Sequence, residues 1–211
     1  MVRSGYFKRK YGRRKVTKIP FEPAEYYDKR FKENTKLFRS PKSIRRNDDF
    51  LKMLEGKYIP CVFEFAGGSG KLAEMFCEAH PECHNYFTTD FSEEAIKLAK
   101  KYTIDFAPIT CDVIDITKDL SLLRLPKWNL IICTSMEHIP RDDCERIIEA
   151  IPSGTACLFA GADFDIEWSK SHCHVHKNLQ YCKDFYGKYI DIKDIHYQPD
   201  YRSYAIMGVK K

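Results

Sequence analysis

In CVFEFAGGSGKLAEM, residues 61–75, a short apolar run breaks into a glycine-rich turn and then into a helical pattern. CVFEFA (61–66) reads as a buried strand and KLAEMFCEAH (71–80) as the helix that follows it. Glycines in such a turn let the backbone approach a ligand before the helix begins. A glycine turn alone says little. Twenty residues beyond Gly70, at the end of the next apparent strand, NYFTTD (85–90), stands Asp90. A carboxylate there can accept hydrogen bonds from both hydroxyls of a ribose, so turn and carboxylate together predict a ligand that contains a nucleoside.

Outward from this pair, apolar runs continue to alternate with amphipathic stretches, the pattern of strands and helices wound into a mostly parallel sheet. SEEAIKLAKKY (92–102) is a helix, opened by Ser92 as cap with Glu93 and Glu94 in its electropositive first turn. FAPITC (106–111) and WNLIICT (128–134) supply two further strands. The segment from Arg141 to Ala150 supplies a helix ended by Pro152 and Gly154, and ACLFAGA (156–162) a fifth strand. Residues 163–178 are polar and rich in histidine, and Leu179 to Tyr186 is helical again. YIDIKDIHY and YRSYAIMGVK then close the chain as two strands, a hairpin on the sheet edge. The expected fold is α/β, a Rossmann-like doubly wound sheet of seven strands with the last one antiparallel.

A chain of 211 residues with 44% apolar side chains suits one compact domain with a sizeable core. Charge divides it. Residues 1–46 hold 16 Lys or Arg against 4 Asp or Glu, a balance of +12 that leaves −7 on the rest of a chain whose total is +5. Residues 1–20 are therefore set apart as a basic arm, expected to be flexible, which suits either a solvated tail or contact with a polyanion. An Arg-rich, acid-poor start also fits an organelle transit peptide, although Gly5, Gly12 and the tyrosines make a poor amphipathic helix. Residues 21–58 form a helical segment ahead of the main domain, 59–211. No stretch is apolar enough to span a bilayer and no secretory signal is evident, so a cytoplasmic protein without membrane contact is expected. The nine cysteines are odd in number, scattered and mostly set in apolar patterns, which reads as reduced thiols and not as a zinc site or a disulfide framework.

With these elements laid out, VFEFAGGSG resembles the first motif of the class I S-adenosylmethionine-dependent methyltransferases, with Ala66 in place of the usual first glycine. TTDFS resembles the second motif, CDVID the third, and WNLIICTSMEHIP the fourth strand with its "LEH"-type turn, here Met136, Glu137 and His138. Four motifs in family order over residues 60–140 are far more specific than any one, and they point to the small-molecule branch. The resemblance implies S-adenosyl-L-methionine as cofactor. It implies that Glu64 orients the amino-acid end of that cofactor and that Ala66, Gly68 and Gly70 give backbone clearance. Asp90 would bind the ribose, Phe91 and Val113 would pack on the adenine, and Asp112 would meet its amino group. Thr134, ending the fourth strand, and Tyr27, in the helix PAEYYDKRFKEN that precedes the core in many relatives and closes over the cofactor, complete the implied set.

A sulfonium is already an activated donor, so the protein mainly aligns the acceptor and, where needed, removes a proton. The candidate bases are His138 and the segment SHCHVHKN with His172, His174 and His176; relatives carry a histidine stretch there on the acceptor side, which favours His174 and His176. Glu137, His138 and these histidines also resemble the metal site of small-RNA 3′-terminal methyltransferases, but Thr134 stands where their first glutamate would be, and no metal is expected. TSMEH after the fourth strand lacks the Asn/Asp-Pro-Pro-aromatic turn used on exocyclic base amines, and Cys133 lies inside a strand, which disfavours both base chemistries. A small-molecule acceptor methylated on oxygen or nitrogen is the leading expectation. An RNA ribose methyltransferase using residues 1–46 for nucleic acid, or a non-catalytic nucleic-acid-binding protein on the same fold, are the alternatives.

Overall fold

The computed structural model describes residues 22–36, 39–162, 173, 176, 178–198 and 203–211. The basic arm, His172 and His174 lie outside the described residues. Seven strands form one sheet in the order β3-β2-β1-β4-β5-β7-β6. They are β1 (Cys61–Phe65), β2 (Asn85–Asp90), β3 (Ile109–Val113), β4 (Leu130–Cys133), β5 (Ala156–Ala162), β6 (Ile190–Gln198) and β7 (Ser203–Lys210). The first five run parallel, and β7 is antiparallel to both of its neighbours, β5 and β6.

The sheet is buried on both faces, which is why β4 is apolar at every position. Successive residues point to opposite faces. Phe63, Phe65, Ile131, Cys133, Cys157 and Phe159 therefore join one core, with α5 (Arg141–Ala150) and α6 (Leu179–Tyr186). Val62, Leu130, Ile132, Leu158 and Ala160 join the other, with α2 (Pro41–Lys52) and α3 (Lys71–Ala79). Each large apolar side chain withdrawn in this way contributes about 1.5–3 kcal/mol. Among the described residues no helix is long and apolar enough to cross a membrane. The nine cysteines are free thiols.

The segment ahead of β1 is two helices, both fastened to the domain. α1 (Ala24–Glu33) buries Tyr27 and Phe31 against Ala95 of α4 (Glu93–Tyr102). Asp28 Oδ1 accepts from the Ser92 hydroxyl at 2.6 Å and from the Glu94 amide at 3.2 Å, a carboxylate seated on the positive end of α4. Ser92 itself caps that helix by accepting from the Ala95 amide. α2 begins at Pro41 after the Ser40 cap, and its Phe50 is fully buried. The Gln198 amide nitrogen at the end of β6 donates to Asp49 (2.6 Å) and to the Arg46 carbonyl (3.5 Å), tying α2 to the far side of the sheet.

β4 is shorter than the sequence expectation, running from Leu130 to Cys133, and β3 is displaced. β3 starts at Ile109 and not at Phe106, because Pro108 has no amide to give a ladder and residues 103–109 close in turns instead. The last two strands form the expected hairpin at the sheet edge, with the antiparallel β7 inside against β5 and β6 outermost. The order reverses between β1 and β4, and the crevice at such a reversal, outside the carboxyl ends of the strands, is where open α/β sheets bind ligands.

Gly70 caps α3 with φ of +71°, and a Cβ there would lie 3.1 Å from Ala99 Cβ and 3.2 Å from Ala99 Cα. The obstacle includes α4 backbone, which cannot turn aside. Gly70→Ala should therefore cost about 2 kcal/mol or more, through left-handed strain and overpacking. In urea unfolding this lowers the midpoint with an unchanged slope; an unchanged midpoint would show that α3 and α4 are not packed this closely.

Candidate active site

Beyond Phe65 the chain turns sharply over β2. Ala66 has φ of 54°, the only non-glycine with positive φ among the described residues, and Gly68 follows at 59°. Gly67 donates its amide to the Thr89 carbonyl (2.9 Å), stitching the turn to β2. A Cβ at Gly67 would stand 2.0 Å from Thr88 Oγ1 and 2.8 Å from Glu64 Oε2. Those two atoms are hydrogen-bonded beneath the turn, with the Thr88 hydroxyl donating to Glu64 at 2.8 Å.

Asp90 is held by the same turn. Its Oδ2 accepts from the Gly68 amide and its Oδ1 from the Ser92 amide, each at 3.0 Å. Each oxygen keeps a lone pair for a further donor. The amides fix the carboxylate at the mouth of a cavity of roughly 1080 Å³ counted to its open rim. Glu64, Ala66, Gly67 and Gly68 form its floor, with Asp90 and Phe91 at one end. Ile114, Asp115, Ile116 and Thr117 make a side wall; Thr134, Ser135, His138 and Ile139 make the opposite one. Tyr27, Arg30 and Phe31 of α1 and Ser43, Arg46 and Asn47 of α2 close it from above.

Two carboxylates in one enclosed space are costly to ionise. Burial, only partly offset by the Thr88 and Tyr86 hydroxyls, pushes Glu64 up to about 7. Burial likewise pushes Asp90 up to about 6, against the pull of the Ser92 and Gly68 amides. At the other end Tyr27 Oη lies 3.3 Å from His138 Nδ1, and His138 Nε2 lies 3.7 Å from Glu137 Oε1. The Tyr27 ring stands edge-on to both Phe91 (5.0 Å) and His138 (5.8 Å). The imidazole thus sits between a hydroxyl and a carboxylate, the setting that fixes a ring for proton transfer.

Of the residues singled out from the sequence, Glu64, Ala66, Gly68, Asp90, Phe91, Thr134, Tyr27 and His138 line this one cavity. Gly70 does not; it serves helix packing. Asp112 and Val113 are also absent from the lining and are exposed. Because β3 runs on to Val113, paired with Asp90, the chain reaches the cavity only at Ile114, whose amide donates to the Asp90 carbonyl. His176 is buried, but among the rings of Tyr181, Phe185, Tyr186 and Tyr204 at 5.2–5.8 Å, and it does not line the cavity. It packs. His174 lies outside the described residues, yet its neighbour Cys173 reaches back to the turn after β4, donating its amide to the Glu137 carbonyl (2.7 Å) and its thiol to the His138 carbonyl (3.1 Å). Gly67 and Arg46 escaped the sequence reading. Gly67 sat unread inside a motif whose other positions were named, and nothing local in PKSIRRNDDF marks Arg46 as a cavity residue.

This sheet order, with its antiparallel seventh strand and glycine turn, is the Rossmann-like methyltransferase fold. Neither a family model nor a curated protein sequence matches the chain. Solved structures do. The N-methyltransferase NodS from Bradyrhizobium japonicum WM9, in complex with S-adenosyl-L-homocysteine, matches with TM-score 0.69 at 15% identity, over 90% of this chain and 99% of that one. Magnesium protoporphyrin IX methyltransferase (ChlM) from Synechocystis PCC 6803 matches with TM-score 0.62 at 13% identity, over 80% and 84%. Human N-acetylserotonin methyltransferase matches with TM-score 0.59 at 19% identity, over 78% and 51%. At these identities the likeness is one of fold.

The raised carboxylates give the unliganded protein a pH signature. Each group is more readily neutral when folded than when unfolded, where it titrates near 3.8 or 4.5. Their contribution to stability is therefore fully present below about pH 4 and lost as pH rises through about 6 and 7. Thermal melts from pH 5 to 8 should show the melting temperature of wild type falling relative to Glu64→Gln, which keeps a neutral side chain throughout. Parallel curves would place Glu64 in contact with water.

Proposed function

We propose that the protein is an S-adenosylmethionine-dependent methyltransferase that methylates an oxygen or nitrogen of a small molecule. The observation that carries this is a single cavity with Asp90, two oxygens still able to accept, at one end and the Tyr27–His138 pair at the other. The residues fit the cofactor. Asp90 can take the ribose hydroxyls, Phe91 and Ile116 offer apolar faces to the adenine, and Glu64 can receive the amino group of the methionine end. The neighbours of like fold include one with S-adenosyl-L-homocysteine bound and another named for a small-molecule acceptor, which supports cofactor and acceptor class alike. The Met136-Glu137-His138 turn supports placement in the branch with an "LEH"-type turn.

When bound, the cofactor supplies a methyl group already activated on a sulfonium. The work left to this chain is alignment and deprotonation. α1, lying over the cavity with Tyr27 and Phe31 buried, keeps water from the reacting atoms. His138 receives the proton of an acceptor O–H or N–H at Nε2, while Tyr27 holds Nδ1 and the Glu137 carboxylate, 3.7 Å from Nε2, steadies the charge that forms. Isothermal titration should find binding of S-adenosylmethionine to wild type. Asp90→Ala should weaken it by about 1.5–3 kcal/mol through loss of a charged acceptor. No binding to wild type would leave a scaffold without turnover.

A second reading, methylation of an RNA ribose, is favoured by the exposed Lys29, Lys32, Lys42 and Arg45 on the two helices that roof the cavity and Lys36 between them, continuous in sequence with the basic arm. Deleting residues 1–20 separates the two. Cofactor binding should persist in either case. For an RNA acceptor the deletion should weaken RNA binding and flatten its salt dependence by roughly one unit of slope per lost phosphate contact. For a small molecule, full-length and truncated proteins should turn over alike.

A further inference from the structure

α2 presents Ser43, Arg46 and Asn47 to the cavity, positions that share one face of a helix. Arg46 is unusual among them. Its Nε is buried and makes no hydrogen bond, and its guanidinium makes no ion pair with any described residue. Its one ring contact is with Phe50, 5.8 Å away. Of the other cations on the wall, Lys71 is held by Glu74 at 2.6 Å. Arg46 is half-buried, and the desolvation of its Nε is costly, since that donor has nothing to replace water. Burial accordingly lowers its proton affinity, opposed by the charge of Glu137. A guanidinium keeps its charge even so, and its planar fork matches an oxyanion.

We infer that Arg46 binds an acidic group of the methyl acceptor, so that the substrate is a small organic acid carrying its anion toward α2. The position of Arg46 assigns it to the acceptor and not to the cofactor. Phe50, one turn on, belongs to a core that takes in Val62 of β1 and Tyr86 of β2 as well as Leu158 and Ala160 of β5, so the side is set by two other contacts. The Arg46 carbonyl is bound by Gln198 at the end of β6. Glu137, the charge that acts on it, follows β4. Gln198 and Glu137 lie on the side of the sheet beyond β4, whereas Gly68 and Asp90, which mark the ribose end, lie at β1 and β2. Floor carboxylates at Glu64 and Asp90 would repel an anion placed lower, which leaves the roof as the favourable place for it. An acid gripped there would turn the remainder of the molecule toward His138 on the facing wall.

This inference rests on the methyltransferase reading, and its test begins from that point. The full chain saturated with S-adenosylhomocysteine is titrated by ligand-observed NMR with a panel of small carboxylic acids, each paired with its primary amide. Wild type should bind acids about tenfold or more tightly than their amides, the scale of a charge-assisted hydrogen bond. Arg46→Gln should erase that preference and Arg46→Lys should keep most of it, while S-adenosylhomocysteine affinity stays within about threefold in both. Acids binding no better than amides, including neither binding, would overturn the inference, as would a preference that survives Arg46→Gln. A tenfold loss of S-adenosylhomocysteine affinity in Arg46→Gln, restored in Arg46→Lys, would instead assign the arginine to the carboxylate of the cofactor. Thermal melts report whether the variants fold; if Arg46→Gln does not, the acid–amide comparison on wild type decides alone. Should wild type fail to bind S-adenosylhomocysteine at all, the methyltransferase reading falls first and this one with it.

Discussion

A methyl group has no room at Gly67. The Thr88 hydroxyl oxygen would lie 2.0 Å from it, and that hydroxyl is committed to a buried hydrogen bond with Glu64. From this close stacking of turn on strand the rest of the cavity follows. The Gly67 amide reaches the Thr89 carbonyl, the Gly68 amide reaches Asp90, and α3 starts three residues later from Gly70. The turn is taken by left-handed backbone at residues 66, 68 and 70, one of which is alanine. An alanine in that region costs about 1–2 kcal/mol and persists because its surroundings determine it several times over. Here β1, the Gly67 amide bond and the buried Glu64–Thr88 pair leave the chain no other course.

The cavity is polarised from floor to roof. Its floor holds Glu64 and Asp90, both pushed toward neutrality by burial. Its roof carries Arg30 and Arg46. Low-dielectric walls strengthen such a field, so the orientation of a bound molecule is set by charge as well as by shape. A cofactor with an ammonium group and ribose hydroxyls suits the floor. An anion suits the roof. The Tyr27–His138–Glu137 series lies between the two, where the reacting atoms of the proposed acceptor would meet the proposed donor.

What the sequence disclosed and what it withheld divide along physical lines. Strands β2 and β5 and helices α5 and α6 begin and end where their residues imply, because apolar period, caps and breakers act within a few residues. Ser92 caps α4 as expected for the same reason. The start of β3 was misplaced because Phe106 and Ala107 look strand-like, and only the turn closed by Pro108 shows otherwise. Asp112 and Val113 rest instead on the resemblance of CDVID to the third motif, and the cavity wall begins one residue beyond them, at Ile114. His176 rests on the resemblance as well, and its ring cage draws on Tyr181 and Phe185 of the adjacent α6 and on Tyr204 of the more distant β7.

The two ends of the cavity thus differ in how they are encoded. The floor is local, written within the thirty residues from Glu64 to Glu93 by a turn and two strand ends, and so it could be read as a motif. The acceptor end is assembled from α1, α2, the turn after β4 and the chain near Cys173, and its central contact, Tyr27 with His138, spans 111 positions. Tyr27 and Arg46 stand on helices outside the sheet. A substitution on those helices can alter what the roof accepts while the packing of β1, β2 and β4 on their two cores stays as it is. Under the proposed function a donor that arrives activated would allow this separation, since little beside His138 would have to be kept for chemistry beyond one base and the geometry that aims it.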